Sequence, residues 1–484
     1  MNMGGSDSTV IAICMASMHM AGLLLALHAM RASRTPQGSL AWMFALVAVP
    51  YVSIPLYLAL GSRRFKGYVD ARKRYAERNT RLSNITRDVQ QKLSTMAVKM
   101  EGERLGRLNV LPDVANLPIC RGNSASLLVD GDETYSAMAE ALKRAKSYIL
   151  LEFYIIKNDK AGAILQKAVI ERVKAGVQVY MLYDEIGSHK LPVGYIRKLR
   201  KAGVRIESFN GKRFFLTNIV RANFRNHRKL VIVDGREAFV GGLNVGVEYV
   251  GLGRMGYWRD TFLKLEGPAV LEAQLCFLED WHWATYGDVP SFDWTLPAPK
   301  KDDVRMMILP SGPVDTVNAW NMAVISLAQT AQRRLWLTTP YFVPNETVLY
   351  ELQLAALRGV QVRILVPHDC DHKMVQMSSS TFIPDLLPSG VEIYAYTKGF
   401  LHEKVALVDD DVCCVGTANL DNRSLSLNFE LTALMCDRTQ AAAIAAMLEK
   451  DFGNARLMQA SDWERHSLLY KLASSFARLM APVQ

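Results

Sequence analysis

A chain of 484 residues is long enough for two or three domains with sizeable cores, and its 50% hydrophobic content is ordinary, so any membrane signal must be local. Seven cysteines, odd in number and without CxxC pairing, argue against a disulfide framework or a structural zinc site and fit a reducing compartment. The net charge of +10 is uneven: residues 63–107 hold 13 Lys/Arg against 5 Asp/Glu, which concentrates the basicity in one segment.

Residues 10–30 and 40–60 are stretches without formal charge, each long enough to cross a bilayer core of about 30 Å as a helix. Arg31, Arg34 and Pro36 lie between them, so the pair is predicted to form a two-helix transmembrane hairpin. A cleaved signal peptide fits poorly, because no Lys or Arg precedes the first run and a second run follows at once. Only Asp7 precedes the first stretch, whereas Arg63, Arg64, Lys66, Arg72, Lys73 and Arg74 follow the second. The positive-inside bias therefore places that cluster, and all that follows, in the cytoplasm, with the hairpin as a multi-pass anchor. His19 and His28 are read as neutral groups facing the second helix. Residues 63–107 show no long apolar stripe and are expected to form a solvated helix along anionic headgroups; nucleic acid is the weaker partner for a segment joined directly to spanning helices.

Beyond residue 127, strands alternate with helices. Residues 148–154 (YILLEFY) and 177–182 (VQVYML) read as buried strands flanking an amphipathic helix at 162–175. The order recurs at 335–338, 348–358 and 360–366 (VQVRILV), and KAGVQVYML resembles LRGVQVRIL, so the chain contains an internal repeat. Alternation of this kind predicts an α/β sheet with helical covers. The Pro-rich and charged stretch 294–303 (WTLPAPKKDD) is the expected junction. The domain reading is an anchor at 1–62, a basic segment at 63–122, and two α/β halves at 123–295 and 296–484. The second half ends in a helix that aligns Leu468, Leu469, Leu472, Phe476 and Leu479 on one face, flanked by Lys471 and Arg478. Both a membrane interface and packing on the body suit that stripe.

One pattern occurs twice, offset by 175 residues: His227-x-Lys229, Asp234, Gly241, Asn244, and His402-x-Lys404, Asp409, Gly416, Asn419. Five fixed identities at fixed spacing match by chance on the order of 10⁻⁷ per starting position. Alternation along a strand puts each His and Lys on one face, with the apolar LVIV and VALV runs buried behind them. The glycines permit close backbone approach, and the asparagines supply neutral donors. Two such sets around one cavity suit a phosphodiester: lysines and asparagines hold non-bridging oxygens, one histidine attacks phosphorus, and the other protonates the leaving oxygen. The two rings then need different environments, and Asp260 (in WRD) and Glu430 (in NFE) are the candidate carboxylates beside their N–H groups. No Asp/Glu cluster of metal-ligand type accompanies the motifs, so no metal or other cofactor is expected.

These residues resemble the phospholipase D superfamily, whose signature is H-x-K-x4-D-x6-G-[GST]-x-N in duplicate. PLYLALGSRR, EFYIIKN, WRDTFLKLEGPAV, TTPYFVP and GTANLDNRSLSLNFE narrow the resemblance to the bacterial cardiolipin synthase family across almost the whole chain. The resemblance implies two pseudo-symmetric phospholipase D-type sandwich domains sharing one active site. It also implies a phosphatidyl-histidine intermediate, with His227 as nucleophile and His402 as acid and then base. His227, Lys229, Asp234, His402, Lys404 and Asp409 form the catalytic signature, with Asp234 and Asp409 as supports, and Asn244 and Asn419 bind substrate.

Exchange of one phosphodiester for another is nearly isoenergetic and needs no nucleotide, and no P-loop motif is present. A site held at a bilayer can concentrate a lipid alcohol and exclude water. The aromatic and basic loop at 212–228 (KRFFLTNIVRANFRNHR) reads either as lipid-facing or as an ordinary solvated connection. The expected reaction joins two phosphatidylglycerols into cardiolipin and glycerol, with phosphatidylglycerol and other anionic lipids as partners. Hydrolysis to phosphatidic acid and a membrane-tethered nuclease are the alternatives, and homo-oligomerisation is left open.

Overall fold

The computed structural model describes residues 4–32, 36–60, 80–209 and 224–479. They divide between an N-terminal unit and a large body. In the N-terminal unit, α1 (Gly4–Ala32) contains the one helix among the described residues that is long and apolar enough to cross a membrane, at Thr9–Arg31.

The second expected span is not one helix. It forms α2 (Pro36–Ala48) and α3 (Pro50–Leu60), broken at Val49. Pro50 has no N–H to give the Leu46 carbonyl, so the ladder fails there. Val49 N–H still reaches Ala45 O at 2.9 Å, and the Ser53 hydroxyl lies 2.7 Å from both Ala45 O and Val49 O, satisfying carbonyls at the break. A Cβ on Gly22 of α1 would lie 2.3 Å from Leu46 O, so only glycine lets α1 approach that point. The two histidines do face the following helices: His28 Nδ1 is 2.7 Å from the Tyr57 hydroxyl, and His19 Nε2 is 3.2 Å from that of Tyr51. The basic cluster at 63–74 lies outside the described residues.

The body is built on fifteen strands in one continuous sheet. In the first half these are β1 (Cys120–Val129), β2 (Tyr148–Phe153), β3 (Gln178–Tyr183), β4 (Arg205–Ser208), β5 (Leu230–Val233), β6 (Glu237–Gly241) and β7 (Thr261–Glu266). In the second half they are β8 (Val304–Ser311), β9 (Arg334–Thr338), β10 (Gln361–Pro367), β11 (Glu392–Tyr396), β12 (Val405–Val408), β13 (Val412–Gly416) and β14 (Glu430–Cys436), with β15 (Ala455–Leu457) at the edge. The order is β15-β11-β10-β9-β12-β13-β14-β8-β1-β7-β6-β5-β2-β3-β4. Read outward from the antiparallel β1–β8 contact, the two halves repeat one topology. β2–β3–β4 and β9–β10–β11 are parallel, which explains their continuous apolar runs.

On one face the sheet has a single core spanning both halves, filled by α5 (Ala269–Thr285) and α8 (Arg438–Gly453). On the other face each half has its own apolar cluster. Between these helices in sequence come α6 (Glu346–Leu357) and α7 (Lys373–Ser380), and α9 (Leu468–Leu479) is the last helix among the described residues. Residue 303 precedes β8, and Asp303 caps Gly122 N–H at 2.8 Å across the β1–β8 seam.

The described part of the basic segment departs from expectation. Helix α4 (Thr80–Ser94) buries Leu82, Val89 and Leu93 in the shared core, and Lys92 Nζ donates to Trp294 O at 3.0 Å. One apolar residue per turn suffices because α4 lies on an already formed apolar surface. Further on, Arg104 pairs with Asp409 at 3.0 Å and also contacts Asp411. Residues 80–115 are therefore part of the body and not a free headgroup helix.

Candidate active site

The strands β5 and β12 are fully buried, and the residues just before them are held out of the sheet by the opposite half. His227 N–H donates to Phe429 O at 2.9 Å, and His402 N–H donates to Arg259 O at 2.7 Å. A parallel bridge joins Asn226 to Phe429, and Phe400–Leu401 pairs in parallel with Trp258–Arg259. Each histidine thus lies beside the carboxylate that follows the opposite motif. His227 Nδ1 is 2.8 and 3.0 Å from the Glu430 oxygens, and His402 Nδ1 is 2.6 Å from Asp260 Oδ2. The partners are crossed between halves. The arrangement leaves the two imidazoles near enough for His227 to depress His402, and all four groups are buried.

Lys229 Nζ donates to His227 O at 2.6 Å, and Lys404 Nζ donates to His402 O and lies 3.1 Å from His402 Nδ1. The neutral asparagines are fixed from behind. Asn244 Oδ1 accepts from Ile155 N–H at 3.0 Å, and its amide donates to the Tyr249 hydroxyl at 3.2 Å. Asn419 donates to Asp421 at 3.1 Å, and Trp320 Nε1 holds its carbonyl at 2.9 Å. A Cβ on Gly241 would lie 2.4 Å from Thr261 O and one on Gly416 2.6 Å from Leu431 O, so both glycines serve close strand approach.

Burial dominates the electrostatics. It lowers His227 to about 4, against the opposing pull of Glu430, with Lys229 adding to the depression. It also takes His402 well below its usual range, helped by Lys404, Lys229 and His227 itself. Lys404 falls to about 8, for burial outweighs Asp260 and Glu430. The carboxylates diverge. Burial pushes Asp260 up to about 6 despite Lys404 and the Thr261 N–H. Burial also acts on Glu430, yet His227, Lys229 and the Thr417 hydroxyl overcome it and hold the carboxyl below its ordinary value.

Asp234 and Asp409, grouped with the catalytic set by their place in the motif, do not reach the histidines. Seven residues of extended chain separate each from its histidine, roughly 20 Å. Asp234 accepts from the N–H groups of Lys146, Ser147 and Tyr148 at 2.8–2.9 Å. Asp409 accepts from Arg333 and Arg334 N–H at 2.7 and 3.0 Å. Both adopt positive φ, 53° and 49°, where a short polar side chain is tolerated. They lock the far end of the motif strand to the start of its neighbour.

The residue between His and Lys points to the other face, where the halves are charge-reversed. Arg228 pairs with Asp280 of α5 at 2.6 Å, whereas Glu403 meets Arg259 at 3.2 Å, itself paired with Asp451 of α8 at 2.7 Å. Sequence reasoning missed Tyr154, whose ring stands edge-on to His227 at 4.9 Å, and Ser424, which donates to Glu430 at 2.8 Å. It also missed Asp184, whose carboxylate takes the Asn226 N–H at 2.9 Å. Arg225 Nη1 is buried without a hydrogen-bond partner, and its charge adds to burial in lowering Arg423, so two guanidinium groups stand together near Tyr154. EFYIIKN and GTANLDNRSLSLNFE contain Tyr154 and Ser424, but no spacing rule marks them. Among the described residues no group of three or more His, Cys, Asp or Glu side chains is placed to hold a metal ion. Of the loop at 212–228, residues through 223 lie outside the described residues.

The family described as "Cardiolipin synthase, PLD-like domain" matches residues 138–252 and 324–454. Cardiolipin synthase A of Pseudomonas putida F1 is 40% identical over 467 residues, covering 96% of each chain. Cardiolipin synthase A of Pseudomonas aeruginosa LESB58 is 38% identical over 479 residues, 99% of this chain and 97% of that one. Among solved structures, phosphatidylserine synthase of Haemophilus influenzae superposes with a TM-score of 0.57 at 15% identity, covering 83% of this chain and all of that one.

Proposed function

The chain belongs to the bacterial cardiolipin synthase family, and from that premise and the crossed histidine–carboxylate pairs we propose that it is a phosphatidyltransferase making cardiolipin and glycerol from two phosphatidylglycerols. Glu430 stays ionised and accepts Nδ1–H of His227, which leaves Nε2 with its lone pair at neutral pH. His227 Nε2 attacks phosphorus of the first lipid while the bond to its glycerol headgroup breaks. His402 gives its Nε2 proton to the departing glycerol oxygen. Asp260, raised to about 6, retains a proton more readily than Glu430, so the Asp260–His402 pair is the better acid. The anionic phosphodiester offsets the depression of His402 by the lysines, so proton uptake accompanies lipid binding.

In the second step neutral His402 takes the proton from a glycerol hydroxyl of the second phosphatidylglycerol. That oxygen attacks phosphorus, the P–N bond breaks, and His227 is restored. Lys229, Lys404, Asn244 and Asn419 hold the non-bridging oxygens, where developing charge needs donors. The halves at 123–295 and 296–484 act as one site, and α1 anchors the chain in the cytoplasmic membrane, with the Pro50-broken α2–α3 as its returning leg.

The carrying observation is the crossed pairing. Purified protein in phosphatidylglycerol vesicles is expected to yield cardiolipin and glycerol in equal amounts by mass spectrometry. Phosphatidic acid as the sole lipid product would replace this reading with hydrolysis.

A further inference from the structure

Helix α9 is turned the opposite way from a helix held by its own body. Its small residues Ser474 and Ala477 are buried, and α9 lies along α7. Arg478 fixes it there, with its guanidinium 4.4 Å over the Phe382 ring and 2.9 Å from Asp385. The leucine face points outward: Leu469 is 77% exposed, Leu479 75%, Phe476 66% and Leu472 59%. A second outward stripe, Tyr350, Leu354 and Leu357, lies on α6. Gln353 of α6 donates to Asp385 O at 2.7 Å, so both helices contact the same turn.

Behind α9 is a cavity of about 330 Å³. Apolar side chains including Phe342, Val375, Ile393 and Met458 line it together with Tyr470 of α9, and His368, Asp369, Arg456, Asp462 and His466 add polar groups to the lining. Small-molecule sites begin at about 300 Å³. Phe342 belongs to the short strand that pairs with Leu420–Asp421, directly after Asn419. One short strand therefore links the lining of the cavity to the segment that follows Asn419.

We propose that the α6–α9 face is seated in a phospholipid leaflet and that the cavity behind α9 receives one acyl chain from it. This rests on the lipid-transfer reading above. Exposed leucine and phenylalanine on a helix with Lys471 at its flank match an anionic interface. The same chain carries an apolar helix of bilayer-spanning length, which holds the body near such a surface at high effective concentration.

The test uses the full chain in phosphatidylglycerol vesicles doped with phosphatidylglycerol bearing a terminal diazirine on one acyl chain. After irradiation, cross-links mapped by mass spectrometry are expected on the outward face of α9 and on the cavity wall. Ala395→Trp, which fills the cavity, is expected to cut the wall cross-links at least tenfold and spare those on α9. Phe476→Glu is expected to lower kcat/KM on vesicles about tenfold and leave turnover of monomeric short-chain phosphatidylglycerol unchanged, with circular dichroism reporting the fold of both variants. Normal cardiolipin synthesis with no label on α9 would overturn this inference alone. Label on α9 with phosphatidic acid as the sole product would overturn the transfer reading and leave the membrane face standing.

Discussion

His227 and His402 occupy equivalent places in the repeated topology, yet one is supported by a glutamate with several side-chain donors and the other by a shorter aspartate with a backbone donor. Glu430 accepts from Thr417 at 2.6 Å, Ser424 at 2.8 Å and Asn428 at 3.2 Å as well as from His227. Asp260 has the Thr261 N–H at 2.7 Å beside His402. At the position of Thr417 the first motif has Gly242, where a Cβ would lie 2.1 Å from Asp260 Oδ1. A hydroxyl helps ionise one carboxylate, and the lack of a side chain makes room for the other. The two halves repeat one topology, and under the proposed roles these small changes divide nucleophile from acid.

The largest effect comes from removing either ring. His227→Ala and His402→Ala are each expected to lower turnover by about 10⁴-fold or more, since nucleophile and acid act as a unit. The comparison breaks on trapping. With phosphatidylglycerol labelled in its phosphatidyl part, acid-quenched His402→Ala is expected to carry label and His227→Ala none. Label retained only by His227→Ala would exchange the roles.

Next come the carboxylates. Glu430→Gln is expected to cost about 10³-fold in kcat and Asp260→Asn about 10²-fold, both within the general acid–base range. Thr417→Val, which removes one donor from Glu430, is expected to cost about tenfold. Equal losses for Glu430→Gln and Asp260→Asn in steady-state kinetics would remove the asymmetry argued above.

Motif, repeat and sheet were legible because they are local or periodic: His-x-Lys alternates along one strand, and VQVYML and VQVRILV are mostly buried apolar runs. Asp260 and Glu430 were also visible as carboxylates trailing each motif. Which served which histidine was not, because the crossing depends on parallel contacts between residues about 140 to 200 apart. The stripe of α4 was missed because it has one apolar residue per turn among many charges, and only the surface of α5 gives it meaning. Pro50 was readable in principle, but apolar composition alone hid the break it makes.

The pH profile is a smaller effect. His227, lowered to about 4, is neutral throughout the physiological range, so its protonation limits kcat/KM only under strongly acidic conditions. Lys404 is charged below about 8 and loses its charge above it. Phosphate affinity should then fall as pH rises through about 8, seen as a rise in KM. Lys404→Arg, charged at every pH used, is expected to lose that alkaline limb even as its turnover falls. An unchanged limb would assign it to another group.

The smallest effect on chemistry is expected at Asp234 and Asp409, and here the halves differ again. Each carboxylate caps backbone N–H groups at the end remote from the site, but Asp409 also pairs with Arg104 at 3.0 Å. An amide keeps one acceptor oxygen and presents a donor where the second acceptor stood, facing N–H groups. Asp234→Asn is therefore expected to cost about 1–2 kcal/mol of stability. Asp409→Asn is expected to cost about 2–3 kcal/mol, because it also leaves Arg104 with Asp411 alone. Denaturant unfolding measures both, and turnover per folded molecule should remain within about twofold, since neither group reaches phosphorus. A loss of kcat as large as that of Glu430→Gln in a fully folded Asp234→Asn protein would return this aspartate to the chemistry.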